Sequence, residues 1–341
     1  MSKSAGSLPR FIAQRILLII PMMWIALTLV FFLLRVAPGD PIEAALGSKL
    51  SPAALAARQH AAGFDRPMIV QYGDYLWSVC HLDFGQSFTD NQPITSIIVN
   101  NGGATLTLAV SAFIVALLIG IPLGLLAGRL RDRFPDVVIR VFGIVTYATP
   151  VFFSGLLIQL FIAPHIGLPS SNNAGAITKF EVPTRTHILL LDAFLSGNST
   201  YILDVLEHLV LPAITLGLLI CGIFIRLVRV NILQTMQSDY VEAAQARGIA
   251  PGKVTRNHAF RNALVPVITV IGLQVALLLA GAILTETTFN WPGLGYKLYT
   301  YIQGRDYVAV QGIITLFTVV VILMSLLVDI VNALIDPRVR Y

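Results

Sequence analysis

The sequence predicts an all-α membrane protein with six transmembrane helices and both termini in the cytoplasm. Three observations lead to this prediction: a low charge content, six long apolar segments, and an uneven distribution of Lys and Arg between the loops. Only 12% of the 341 residues are charged and 56% are hydrophobic, whereas about 25% are charged in a typical soluble chain. The composition therefore places most of the chain in a lipid bilayer.

Six apolar segments are long enough to cross the bilayer, at residues 16–34, 104–127, 141–163, 209–225, 264–284 and 307–335. At about 1.5 Å per residue the first extends about 28 Å, close to the roughly 30 Å of the hydrocarbon core. Inside lipid each backbone N–H and C=O must find a partner within its own segment, so we expect helices. The first segment exceeds the apolar part of a signal peptide, which favours an uncleaved span.

The orientation follows from the basic residues. Fifteen of the 23 Lys and Arg residues lie in the N-terminus, the 129–140 loop, the 226–262 loop and the C-terminus. The alternate loops are longer in total but hold only the other eight. They also carry most of the acidic residues. Because cytoplasmic loops are enriched in Lys and Arg, both termini are predicted to be cytoplasmic.

The chain divides into three regions. Residues 1–103 contain the first span and a long outer loop, residues 104–335 form a transmembrane core, and residues 336–341 form a cytoplasmic tail. Within the outer loop, Ser51 followed by Pro52 predicts the start of a short helix. Tyr72 and Trp77 belong to an aromatic-rich segment that indicates a second helix at the membrane interface.

Small residues and prolines mark the spans. Gly120, Gly124 and Gly128 repeat at intervals of four, which allows two helix backbones to approach closely, with a hinge as the alternative. We expect Pro150 and Pro212 to interrupt the third and fourth spans. Asp329 lies inside the sixth span, and we expect it to bind a neighbouring helix.

The segment 239–248 predicts a short helix on the cytoplasmic surface. Asp239 is the expected N-cap and Glu242 its capping-box partner. Ala243 and Ala244 would let another protein approach closely, and Gly248, after Arg247, is a natural C-terminal stop. Such a helix between two spans indicates contact with a soluble partner.

A second segment, 286–295, follows the fifth span at its outer end. Glu286 lies there with aromatic residues and glycines, among them Phe289, Trp291 and Gly293. These residues could line the mouth of a pathway or form a helix-capping loop, and the sequence leaves both open.

The sequence contains no catalytic constellation. Residues 248–253 resemble a phosphate-binding loop superficially, but the spacing is one residue short and Val254 follows Lys253. We therefore expect no catalysis and no cofactor or metal bound by this chain. The scarcity of charge within the spans argues against the alternative of an ion-driven carrier or channel acting alone.

Taken in order, several segments resemble the inner-membrane permease subunits of ATP-binding-cassette importers, in the dipeptide, oligopeptide and nickel branch. These segments are 35–41, 64–67, 71–72, 83–87, 242–248, 261–266, 286–295 and 336–338. The chain differs from the wider superfamily at 258–261, where His258-Ala-Phe260-Arg261 replaces Ile-x-Leu-Pro, a departure typical of this branch.

The resemblance implies the type I ABC importer permease fold in a bacterial inner membrane. It makes 239–248 the coupling helix, with Asp239, Glu242, Ala243, Ala244, Arg247 and Gly248 at the contact with an ATPase. It implies as partners a second homologous permease, two cytoplasmic ATPase subunits that bind ATP and Mg, and an extracytoplasmic substrate-binding protein. The expected substrates are di- or oligopeptides, with nickel, glutathione or haem as alternatives.

Overall fold

The computed structural model describes residues 7–36, 51–61, 63, 65–248 and 265–335. The described residues form helices and no sheet, with a single isolated bridge between Gln86 and Pro93. The all-α prediction is confirmed. The helices are α1 Ser7–Val36, α2 Pro52–Ala61, α3 Met68–Cys80, α4 Ile94–Arg129, α5 Phe134–Ala148, α6 Val151–Leu157, α7 Ala163–Ile166, α8 Ala176–Glu181, α9 Leu189–Ser196, α10 Ser199–Met236, α11 Asp239–Ala246, α12 Val265–Thr288, α13 Leu294–Gln303 and α14 Tyr307–Ile335.

Four of the described helices are long and apolar enough to cross a membrane individually. They are α1, α4, α10 and α14, which contain the first, second, fourth and sixth predicted segments. The fifth predicted segment lies mostly in α12, whose outer part, Leu278–Thr288, is apolar.

The third predicted span is not one straight helix. Helix α5 and the segment Val151–Ile166 meet at an angle of 106°. Pro150 stands at the bend, and Thr149 before it is extended, with φ −79° and ψ 128°. Proline lacks an N–H and disfavours helical geometry in the preceding residue, so the helix ends there. The interruption expected at Pro212 is wrong, because α10 continues through it.

Helix α10 lies at the centre of the fold, with 67% of its most apolar stretch buried. Its partner is α4, and the closest approach occurs at the three glycines spaced by four. An added Cβ would lie 2.7 Å from Phe224 at Gly120, 2.8 Å from Val228 at Gly124, and 2.8 Å from Ile232 at Gly128. Only glycine permits this separation of the two backbones.

Helix α1 packs against α14 at the edge of the fold. Arg15 and Asp329 form an ion pair across this contact at 3.0 Å, which confirms that Asp329 binds a neighbouring helix. Near the outer end of α1, Thr28 shares a hydrogen bond of 2.6 Å with Tyr72 of α3. The predicted start of α2 is also confirmed, because Ala54 N–H donates to the Ser51 hydroxyl at 3.4 Å.

Some sequence predictions lie outside the described residues. They concern residues 37–41 and Phe64 in the outer loop, the segment 249–264 that precedes α12, and the tail 336–341.

Replacing Gly124 by Ala is expected to destabilise the protein by about 1–3 kcal/mol, because its methyl group would overlap Val228 and the Ile225 carbonyl. Thermal unfolding of the purified chain in detergent measures the effect. Gly73→Ala is the control: Gly73 is also helical, has no atom near its added Cβ, and should gain stability from the better helix former. Equal effects of the two substitutions would contradict the packing account.

Candidate functional site

Helix α11 lies at the end of α10 and is attached to it by one buried side chain. Val241 is fully buried and belongs to the same apolar cluster as Val228 and Ile232 of α10. The turn between the two helices consists only of Gln237 and Ser238. Because the connection is this short, α11 and α10 should move together.

The opposite side of α11 is an exposed stripe. Asp239, Glu242, Ala243 and Ala246 are all exposed. Their spacing of three and four residues places them on one face of a helix, away from Val241. Two carboxylates and two methyl groups thus form a small, uncovered surface that a partner can approach closely.

The ends of α11 are defined by the backbone. The N–H groups of Val241 and Glu242 both donate to the Ser238 carbonyl, at 2.9 and 3.2 Å. Ser238 therefore precedes the helix and Asp239 is its first residue, so the predicted cap at Asp239 is one residue too late. Both acids lie in the first turn, where the helix dipole favours negative charge. Gly248 has φ +76°, the left-handed conformation of a helix stop, and Arg247 before it is exposed.

A buried ion pair joins α5 to α10 near the same end of the protein. Arg229 donates from Nε to Asp136 Oδ1 at 2.7 Å and from Nη2 to Oδ2 at 2.8 Å. The Asp136 carboxylate is fully buried and also accepts from Asp132 N–H at 3.0 Å. Such a bidentate pair fixes the orientation of both side chains.

Sequence reasoning did not identify this pair. Asp136 lies in the first turn of α5, directly after Pro135. Proline followed by an acid is typical of a helix start, so the position of Asp136 could have been predicted. Its partner could not, because Arg229 is 93 residues away.

The segment that follows α12 is enclosed by the protein. Glu286 is fully buried, accepts from the Thr105 hydroxyl at 2.7 Å and from Tyr296 N–H at 2.9 Å. The Glu286 carboxylate, which belongs to α12, therefore accepts one hydrogen bond from the first turn of α13 and one from α4. Gly293 and Gly295 have no side chain, and an added Cβ at either would reach the Glu286 carboxylate.

The aromatic residues of this segment are buried, as Glu286 is. Phe289 and Trp291 are buried, and Trp291 Nε1 donates to the Ala104 carbonyl of α4 at 3.0 Å. A π-helical turn, Ile158–Ile162, brings Gln159 to the same place, where its amide donates to the Thr288 carbonyl at 3.0 Å. This arrangement matches the helix-capping alternative, and in the described chain Glu286, Phe289, Trp291 and Gly293 are enclosed.

A second polar network joins the loop before α4 to α13 and α14. Asp306 is fully buried and accepts from the Ser87 hydroxyl at 2.7 Å and from Thr89 N–H at 2.9 Å. Tyr301 donates to Asp90 at 2.8 Å. Burial and this carboxylate raise the pKa of Tyr301 above its ordinary value. None of these residues was predicted as functional.

A cavity of about 580 Å³ opens beside this network, between the ends of α1, α3 and α14. Its lining includes Arg35, Gln71, Asp74 and Tyr75. Among the residues that the structure describes, no group of three or more His, Cys, Asp or Glu could hold a metal ion.

Two protein-family models together match most of the chain. A family model described as "Binding-protein-dependent transport system inner membrane component" matches residues 120–341. The model of the N-terminal part of a binding-protein-dependent transport system membrane component matches residues 8–109.

Individual relatives are similar over nearly their full length. The di/tripeptide transport system permease protein DppB of Pseudomonas aeruginosa (strain UCBPP-PA14) is 37% identical over 97% of this chain and 98% of its own. The dipeptide transport system permease protein DppB of Escherichia coli (strain K12) is 38% identical over 97% and 99%. The glutathione transport system permease protein GsiC of Salmonella choleraesuis (strain SC-B67) is 31% identical over 97% and 99%.

Asp136→Asn is expected to destabilise the protein by about 3–5 kcal/mol, because it leaves the largely buried Arg229 cation without its counterion. The thermal midpoint and the protease resistance of the purified chain measure the loss. Asp132→Asn is the matched control: it changes an exposed acid four residues away and keeps the backbone N–H that binds Asp136. Comparable losses for the two variants would show that the buried pair contributes little.

Proposed function

This chain belongs to the family of binding-protein-dependent transport system inner membrane components, and we propose that it forms half of the pore of an ATP-driven importer for dipeptides. Membership makes it a multi-pass transport subunit of the bacterial inner membrane, without catalysis of its own. The relatives named for di- and tripeptides support the substrate. Glutathione is the second candidate, because a relative named for it is 31% identical.

The family description implies a substrate-binding protein and an ATPase as partners. In our proposal, the complete importer contains two homologous permeases and two cytoplasmic ATPase subunits, which hold the ATP and Mg. Each permease presents one α11 to one ATPase, and the second permease is a paralogue of this chain. An ion-driven carrier acting alone does not fit this family.

Helix α11 is the coupling helix in this proposal. The observation that carries the assignment is the exposed stripe of Asp239, Glu242, Ala243 and Ala246 opposite the buried Val241. Ala244 and Arg247 complete the predicted contact, and Gly248 turns the chain toward α12. When the ATPases close on ATP, α11 moves as a rigid body and takes α10 with it.

The proposal includes six membrane passes and cytoplasmic termini. Helix α5 and the segment Val151–Ile166 together form the third pass, and α12 forms the fifth. Arg131 and Arg133 lie at the end of α4 that also carries the Asp136–Arg229 pair and α11, which supports a cytoplasmic location. Residues 1–103 would then supply the first pass and an outer loop, 104–335 the core, and 336–341 the cytoplasmic tail.

The segment 286–295 lies at the outer mouth in this topology. The burial of Glu286, Phe289, Trp291 and Gly293 supports a structural role: they fix the outer end of α12 to α4 and α13. The loops 36–103 and 164–207 would meet the binding protein or its cargo.

Two substitutions at α11 test the proposal. Glu242→Arg reverses a charge on the stripe, and Gly248→Asp puts a charged side chain at the left-handed stop of the helix. Each should lower ATP-driven uptake of dialanine by the reconstituted importer at least about tenfold, since a mismatched charge at a docking surface costs several kcal/mol. Arg133→Glu is the control, because Arg133 is an exposed charge at the same end of the protein and lies outside the stripe.

Undiminished uptake by assembled Glu242→Arg and Gly248→Asp complexes would contradict the coupling role. Import of glutathione in place of dialanine by the unaltered complex would favour the alternative substrate and leave the coupling role intact.

A further inference from the structure

Arg226 is an arginine in the second half of α10, directly after the predicted apolar segment 209–225. On either side of it along α10, Phe224 faces Gly120 and Val228 faces Gly124 of α4. Arg226 is therefore level with the apolar part of α4, about 10 Å before that helix ends at Arg129 at 1.5 Å per residue. A charge at this depth is costly unless it meets a counterion or water.

Three arginines at this end of the protein are paired, whereas the described residues hold no partner for Arg226. Arg229 and Arg140 both contact the Asp136 carboxylate, and Arg131 pairs with Asp132. The Arg226 side chain is exposed, and among the described residues no hydrogen-bond or ion-pair partner is found for it. Its five N–H donors are available to an anion that the described residues do not supply.

Arg226 begins a polar stripe that runs to the cytoplasmic end of α10. The exposed residues Arg226, Val230, Gln234 and Gln237 recur at intervals of three and four, so they share one helix face. Three of the four are polar.

The exposed face of α4 differs in character. At the same spacing its exposed residues are apolar from Leu106 through Leu126, with Pro122 at the level of Arg226, and its first charged residue is Arg129 at its end. Polar residues within spans face water-filled cavities or the interior of a helix bundle. Such a stripe is suited to a water-filled cavity or to the interior of a helix bundle and not to lipid tails.

The lower end of the stripe borders a cavity. Val230, Gln234 and Gln237 line a space of about 270 Å³ together with Arg131 and Asp132 of the α4–α5 turn. The cavity thus follows the stripe from Val230 to the end of α10 that carries α11.

We propose that this stripe lines the inner half of the translocation pathway and that the Arg226 guanidinium binds the carboxylate of the peptide as it passes. The inference rests on the proposed function and deepens it. Dipeptides with free termini carry a carboxylate, and a guanidinium matches its geometry with two parallel hydrogen bonds. A single cation in a wet channel binds weakly enough for release, which transport requires.

The test uses the reconstituted importer in vesicles of neutral and of anionic phospholipid. Arg226→Gln should lower uptake of dialanine about tenfold, the effect of losing one charge-assisted contact. Binding-protein-stimulated ATP hydrolysis and assembly should be retained, and Arg226→Lys should recover part of the uptake. C-terminally amidated dialanine lacks the carboxylate, so the unaltered importer and the Arg226→Gln variant should take it up equally.

Arg129→Gln is the matched control, because Arg129 is an exposed arginine at the inner end of α4. It should leave the ratio of free to amidated dialanine uptake unchanged.

Several outcomes would overturn the inference. If Arg226→Gln lowers the uptake of free and of amidated dialanine equally, Arg226 does not act through the peptide carboxylate. If the Arg226→Gln importer fails to assemble, Arg226 pairs with an acid of another subunit. If the loss of uptake occurs only in anionic vesicles, Arg226 binds a lipid headgroup. If the unaltered complex imports no dialanine, the proposed function fails as well, whereas unimpaired uptake by Arg226→Gln overturns this inference alone.

Discussion

The close contact of α4 and α10 is the constraint on which the other features depend. Gly120, Gly124 and Gly128 leave no side chain on α4 at the contact, so Phe224, Val228 and Ile232 of α10 pack directly on its backbone. In lipid there is no hydrophobic force between helices, and packing of this kind takes its place. Because α10 cannot shift relative to α4, both of its ends have fixed positions. One end carries α11, and the other reaches the outer loops.

The helices before and after α11 in the chain, α10 and α12, both contact α4. Helix α10 does so along its length, and α12 does so at its outer end. There Thr105 binds Glu286 at 2.7 Å and the Ala104 carbonyl accepts from Trp291. Movement of α11 would therefore act on a connected unit and not on a single helix. The buried Asp136–Arg229 pair adds α5 to that unit near the inner end, and a buried pair with good geometry fixes orientation even where it adds little stability.

The sequence predicted features that depend on local chemistry and missed those that depend on distant residues. The apolar segments, the glycine spacing and the stop at Gly248 could be recognised because each reflects the needs of one helix. The bend at Pro150 was underestimated, since a proline in a span can be tolerated, as at Pro212, or can end the helix. Glu286 was noticed, but its burial was not, because its partners Thr105 and Tyr296 come from two other elements. Arg226 was counted as a loop residue, since its depth becomes clear only from the register of α10 against α4.

The central claim is that the exposed stripe of α11 contacts an ATPase subunit. The most direct measurement is chemical cross-linking from Ala243→Cys in the assembled importer, with Cys80 replaced by Ser; the remaining Cys221 is buried and inaccessible to a polar reagent. The account predicts a cross-link from position 243 to the ATPase and none from Leu82→Cys, which is exposed beyond α3 on the outer side. An importer that transports dialanine while position 243 forms no cross-link, or while both positions react equally, would contradict it.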